Sequence, residues 1–250
     1  MSLRAFPHSD AGKPCWTALP PSAPVRSVDH DPAVTRRRSL ALARLAFAVL
    51  TIIAIVAQYA HREHPSAFYT VNFFSFFTNE SNILALALLL YGAYGELGLG
   101  GGGLHSQRRV YDLMRGGAVI YMTITGVVFV LLLSGSNESV PWANAVVHYI
   151  MPIVIVVDWL IDPPPTPIER ARAWRWLIFP LVYFAYTLIR GAIVGWYPYP
   201  FFDVTSKGYW QVLANGVGIL IAITAVGAAT LLAGNGLRAR REPLRAAEPL

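Results

Sequence analysis

The chain has 250 residues, 55% of them hydrophobic and only 14% charged, whereas soluble domains carry about 25% charged residues. That deficit excludes an ordinary soluble fold, and the length suits one helical bundle with no separate soluble domain. The net charge of +6 sits on arginines that flank apolar runs, so it reads as a topological signal and no nucleic-acid partner is expected.

Residues 1–35 are rich in Pro, Ser, Ala and His with no apolar period, and read as a disordered cytoplasmic tail. Cys15, the single cysteine, excludes an intramolecular disulfide and a multi-cysteine zinc site. A cleaved signal peptide does not fit, because the first long apolar run begins only after Arg36, Arg37 and Arg38 and continues to a full span.

A bilayer core needs roughly 20 apolar residues as helix. Six stretches qualify: Leu40–Ala60, Phe73–Tyr94, Val110–Leu133, Trp142–Ile161, Trp174–Val194 and Trp210–Ala233. Polar or helix-breaking segments separate them, among them His61 to Pro65, the flexible linker Gly100 to Gly103 and the triple proline Pro163 to Pro165. The expected fold is all-α: a polytopic membrane protein with six transmembrane helices over residues 36–234, followed by a basic cytoplasmic tail over residues 235–250. Arginines cluster in both tails, at Arg108 and Arg109, and at Arg170, Arg172 and Arg175, whereas the other three loops carry only Arg62 and Lys207. Positive-inside then puts both termini in the cytoplasm, with the chain a multi-pass protein of the plasma membrane. Trp142, Trp174, Trp196 and Trp210 at the predicted helix ends match an aromatic belt.

Ionisable groups inside spans cost about 2.5–3.5 kcal/mol each on insertion scales and mark functional positions. At about 1.5 Å per residue, Thr78 lies about 8 Å below the outer boundary of the second span, His148 about 9 Å down the fourth and Asn215 about 8 Å down the sixth. Glu80, Ser81 and Asn82 lie just deeper than Thr78, and Arg190 sits near the outer end of the fifth span. Four helices thus place polar groups at one depth, which predicts a single polar cavity opening outward beneath the loop from Gly195 to Gly208. Ser75, Thr78, Ser81 and Asn82 fall on one helical face, whereas Glu80 lies about 200° around from Thr78. Asp158, near the cytoplasmic end of the fourth span, is expected to contact basic groups there.

A threonine hydroxyl needs a base to become a nucleophile, and His148 is the only histidine within a span. Thr78 and His148 are therefore the candidate nucleophile and base. Arg190, Asn82 and Asn215 are candidates to stabilise an oxyanion or hold a lipid carboxylate, and the partner would be a membrane lipid or lipid-like substrate. Each residue also has an ordinary reading. Thr and Ser bond back to the carbonyl at i−4, His and Asn bridge helices, and Arg190 snorkels outward or pairs with Glu80. A non-catalytic lipid binder or a solute or proton transporter is the alternative. His61 and His64 flank Glu63 without a further ligand nearby, so no metal is expected; no cofactor is expected either. Nothing in the chain specifies an oligomeric state.

Three segments carry a family resemblance. Phe76-Phe77-Thr78-Asn79-Glu80-Ser81-Asn82 resembles the F-T-x-x-S-N signature of a bacterial six-helix membrane family. His148 to Pro152 with Asp158-Trp159 resembles its fourth-helix motif. Arg190-Gly191 with Gly195-Trp196-Tyr197-Pro198-Tyr199-Pro200-Phe201-Phe202-Asp203 resembles its fifth-loop motif. That family is distantly similar to the eukaryotic androgen-induced membrane proteins, hydrolases of fatty acid esters of hydroxy fatty acids. The resemblance implies Thr78 and His148 as catalytic, with Tyr199 and Asp203 in a run that recurs in the eukaryotic proteins. The Ser81-Asn82 pair belongs to the bacterial pattern alone.

Overall fold

A computed structural model describes residues 32–61, 66–99, 104–135 and 140–246. Two units divide the chain. The first, Met1–Arg36, contributes only the opening turn of one helix to the described residues; the second, Arg37–Leu250, holds everything that follows. Cys15, the trio His61, Glu63 and His64, and the Gly100 to Gly103 linker fall wholly or partly outside the described residues.

Every described element is helical. The elements are α1 (Pro32–Ala60), α2 (Ala67–Phe74), α3 (Phe77–Glu96), α4 (Leu104–Val128), α5 (Pro141–Ala145), α6 (Met151–Ile161), α7 (Arg170–Ala173), α8 (Ile178–Val194), α9 (Val204–Lys207) and α10 (Tyr209–Ala246). Two π-helical turns interrupt the series, Phe129–Leu133 ending α4 and Val146–Ile150 joining α5 to α6. Five stretches are long and apolar enough to cross a membrane: Val34–Ala60, Arg108–Leu133, Pro141–Ile161, Arg170–Val194 and Tyr209–Glu242. The pair α2 and α3 passes the same test only together.

Two expectations about helix ends change. The first helix starts at Pro32, inside the region expected to be a disordered tail; proline at a helix start loses no hydrogen bond and has its φ preset. The last helix runs on to Ala246 through most of the basic tail, where Arg238 pairs with Glu242 one turn on, at 3.2 Å.

The larger correction concerns the second span. It is not one helix but two, bent by 68° around Ser75 and Phe76. Neither proline nor glycine is present at the break; polar side chains take over the backbone groups it frees. Asn79 Nδ2 donates to the Phe73 carbonyl (2.7 Å), and the Tyr183 hydroxyl donates to that of Ser75 (3.0 Å). Ser75 Oγ donates to the Val71 carbonyl (2.6 Å) and meets the Tyr186 hydroxyl at 2.8 Å. Ser75 therefore does not share the helical face of Thr78, and depth counted along a straight helix from Phe73 does not apply across the bend.

Helix α4 packs against α3, α6 and α10. Aromatic rings lie over glycines at the close approaches. A Cβ at Gly116 would lie 2.5 Å from Trp176, and one at Gly234 would lie 2.6 Å from Trp159. These two tryptophans are buried, whereas Trp142, Trp174 and Trp210 at the helix ends are exposed. At the other end of the bundle from the Gly195–Gly208 loop, Asp158 meets basic groups as expected. It accepts from Arg44 Nε at 2.7 Å and from Arg115 Nη2 at 2.6 Å. Arg44 also binds Asp162 at 2.8 Å. Both guanidiniums are buried, 3% and 4% exposed, so these ion pairs lock α1 and α4 to α6 with little screening.

Candidate active site

The bend makes the site. Helix α3 begins at Phe77, so Thr78 lies in its first turn, where backbone N–H groups have no partner within the helix. The Thr78 N–H donates to the hydroxyl of Tyr199 at 3.3 Å. That hydroxyl also lies 3.4 Å from Thr78 Oγ1. Tyr199 comes from the loop that follows α8, whose C-terminus closes at Gly195 with φ of 69°, a left-handed conformation that favours glycine. Gly191 supports the same loop, because the space its Cβ would fill is taken by the ring of Tyr197.

His148 arrives from the π-helical turn Val146–Ile150. Its Nε2 lies 3.3 Å from Thr78 Oγ1. Its Nδ1 lies 3.2 Å from the Asn144 carbonyl. A carbonyl only accepts, so Nδ1 carries the proton and Nε2 presents its lone pair to the threonine hydroxyl. Phe129, the first residue of the other π-helical turn, stacks on the imidazole with centroids 4.0 Å apart. Both wide turns therefore meet at His148, a placement common at functional sites. Asn82 Nδ2 donates to the Thr78 carbonyl (2.9 Å) and to the Val147 carbonyl (3.1 Å), fixing α3 to the turn that carries the histidine.

Beside Thr78 lies a cavity of about 210 Å³. It is lined by α3, α4, α8, the loop and α10, and Thr78, Thr125, Tyr183 and Tyr199 supply its only hydroxyls. The Thr125 hydroxyl, on the cavity wall, makes no hydrogen bond among the described residues. Leu181, Leu213 and Val217, also lining residues, are about half exposed, so the cavity reaches the lipid-facing surface beside α10. This cavity is apolar, not the polar one expected, and the polar residues of the shared layer go to separate places.

Arg190 does not line the cavity. Its Nη2 donates to Asn72 Oδ1, and its guanidinium lies over the rings of Trp196 and Phe68. Arg190 forms no ion pair with Glu80; Glu80 is half-buried, its N–H donates to the Phe76 carbonyl, and its carboxyl makes no hydrogen bond among the described residues. Asn215 clamps the loop, donating to the Phe201 carbonyl at 2.8 Å. Asp203 caps α9 through the Thr205 N–H and hydroxyl (2.9 and 2.6 Å), and the Thr205 hydroxyl holds its carboxyl below the usual aspartate range. The Ser81 hydroxyl is buried without a partner among the described residues. Among the described residues no cluster of three or more His, Cys, Asp or Glu side chains has the arrangement of a metal site.

Sequence reasoning missed the Asn144 carbonyl, Phe129 and Thr125. None carries a signal beyond its place in an apolar run. Asn72, Ser75 and Asn79, at spacings of three and four in a run of phenylalanines, were a legible sign of the bend.

The described residues thus form an all-helical protein with the span composition of a multi-pass membrane protein and a buried threonine beside a half-buried histidine. Comparison with protein-family models, with curated proteins and with solved structures finds no match.

Proposed function

We propose that this protein is an intramembrane lipid ester hydrolase with Thr78 as nucleophile and His148 as base. The observation that carries the reading is the 3.3 Å approach of His148 Nε2 to Thr78 Oγ1 at the wall of an apolar cavity. In this reading α2 and α3 form one broken span, which brings the spans to six. Both termini lie in the cytoplasm, and the protein resides in the plasma membrane, the inner membrane of a bacterium. The resemblance to the bacterial family with the F-T-x-x-S-N motif supports the same assignment.

The chemistry follows from the groups present. His148 Nε2 takes the proton of Thr78 Oγ as the oxygen bonds to the ester carbonyl carbon. The resulting oxyanion meets the Tyr199 hydroxyl, which is already polarised by the Thr78 N–H at the positive end of α3. The bond to the alcohol oxygen breaks and the imidazolium returns its proton to that oxygen. Water attacks the acyl-threonine in the second half, giving its proton to Nε2, and the acid leaves as Thr78 regains a hydrogen. The acyl chain occupies the cavity, entering from the bilayer beside α10.

The test is hydrolysis of a long-chain fatty acid ester by purified full-length protein, with Thr78→Ala alongside. Loss of hydrolysis and of fluorophosphonate labelling in the variant supports the enzyme. Equal rates in the two proteins would sink it and leave a lipid-binding or transport role, in which no labelling occurs.

A further inference from the structure

Arg190 differs from the buried arginines among the described residues. The buried Arg44 and Arg115 each bind carboxylates, but Arg190 has no acidic partner among the described residues. It lies five residues before Gly195, the end of α8, so it sits about 7–8 Å inside that end. A long, unpaired arginine at such a depth ordinarily snorkels freely into water. This one is held. Nη2 is tied to Asn72 Oδ1 of α2, and Asn72 is itself buried. Trp196 and Phe68 lie at 5.3 and 5.9 Å from the guanidinium carbon to the ring centroids. The rings engage the guanidinium as a cation over aromatic faces, while one amide oxygen uses a single N–H of the five that the group carries.

A guanidinium restrained in this way, with donors to spare and its charge uncompensated, has the form of a fork for a tetrahedral oxyanion. The tetrahedral oxyanion that borders the hydrocarbon of a leaflet, within reach of a long side chain near a span end, is lipid phosphate. We propose that Arg190, Asn72, Trp196 and Phe68 form a seat for a phosphate group, occupied by the phosphodiester of a phospholipid in the leaflet on the side of the Gly195–Gly208 loop. The seat is separate from the Thr78 cavity, since none of its four residues lines that cavity. It holds whether or not the protein is a hydrolase. Its partners come from α2, α8 and the loop, the elements that position Ser75 and Tyr199, so a bound lipid would brace the bend.

The experiment is native mass spectrometry of the delipidated full-length protein. It compares dioleoylphosphatidylglycerol with dioleoylglycerol, which has the same chains and no phosphate. The expected result is about tenfold tighter binding of the phospholipid. Arg190→Gln should fall to the dioleoylglycerol level, and Arg190→Lys should lie between, keeping the charge but losing the fork. Thermal midpoints of the variants report folding, and Arg190→Lys, with its charge kept, remains a test if Arg190→Gln is unstable. Competition by millimolar inorganic phosphate marks a seat open to the free anion, and its failure marks one that needs the lipid; each supports the shared chemistry. Binding of the two lipids within about twofold of one another, or of the wild type and both variants within about twofold, overturns the proposal.

Discussion

The imidazole of His148 is oriented by a carbonyl, that of Asn144, where many hydrolases place a carboxylate. A carbonyl fixes the tautomer but cannot neutralise the imidazolium that the proposed attack by Thr78 would form. In the proposed mechanism that makes the pair a weaker base than a triad, suited to esters, whose leaving groups depart easily, and poorly suited to amides.

His148→Gln keeps a polar side chain but supplies no base. Hydrolysis should fall by about 100- to 10,000-fold with little change in KM. Thr78→Ser, which retains the hydroxyl, should stay within about tenfold of wild type. Steady-state kinetics on a long-chain ester decides both, and an active His148→Gln protein would remove the histidine from the mechanism.

Tyr199→Phe deletes one hydroxyl from a buried position and leaves the ring packing on Phe201 intact. If that hydroxyl meets the oxyanion, kcat should drop by about 100- to 1,000-fold. Fluorophosphonate labelling of Thr78 should slow in parallel. A rise in KM alone would place Tyr199 in substrate binding.

Gly216 lines the cavity, and a Cβ there would lie 2.8 Å from Phe184. Gly216→Leu should fill part of the acyl site. Each methylene that no longer fits forfeits about 0.8 kcal/mol, about fourfold in kcat/KM, so preference should move toward shorter chains. Rates across a series of acyl lengths test this, and an unchanged profile would put the acyl chain elsewhere.

Asp158→Asn leaves Arg44 and Arg115 buried with one partner fewer. Removing one member of such a pair costs about 3–5 kcal/mol, so the thermal midpoint in detergent should fall by well over 5 °C. Glu242→Gln, on the exposed pair with Arg238, should move it by no more than about 1 °C.

The existence of the spans was legible because their length and apolarity answer to one physical requirement, the thickness of hydrocarbon. Thr78 and His148 were legible because a polar side chain inside an apolar run is an unusual cost, although the depth count that paired them crossed the bend. The bend was not read, since depth was counted through Ser75 as though the helix were straight. The local polar residues Ser75 and Asn79 mark it, but half of its support comes from Tyr183 and Tyr186, over a hundred residues away in sequence. The dispersal of Arg190, Asn215 and Asp203 was hidden for a related reason. Residues at one depth can still face different neighbours, and facing is decided by how α2, α8 and the loop pack. The contacts of Asp158 were easier, because an acid at the same end as Arg44 and Arg115 has few other ways to be neutralised.

The Arg44–Asp158 pair joins residues 114 positions apart. At about 5–20 residues per second, the ribosome needs roughly 6–23 s to travel from one to the other. For that interval α1 is present with an arginine whose two closest acids, Asp158 and Asp162, have not yet been synthesised; Glu96, 3.9 Å from it, is made earlier. The first helix therefore has to wait near the insertion machinery, or keep Arg44 at the water boundary, until α4 and α6 have both arrived. The electrostatic closure of α1 against α6 therefore precedes the arrival of α8 and α10, and truncation before Asp158 should leave α1 without its two closest carboxylates, a degradation-prone insertion product.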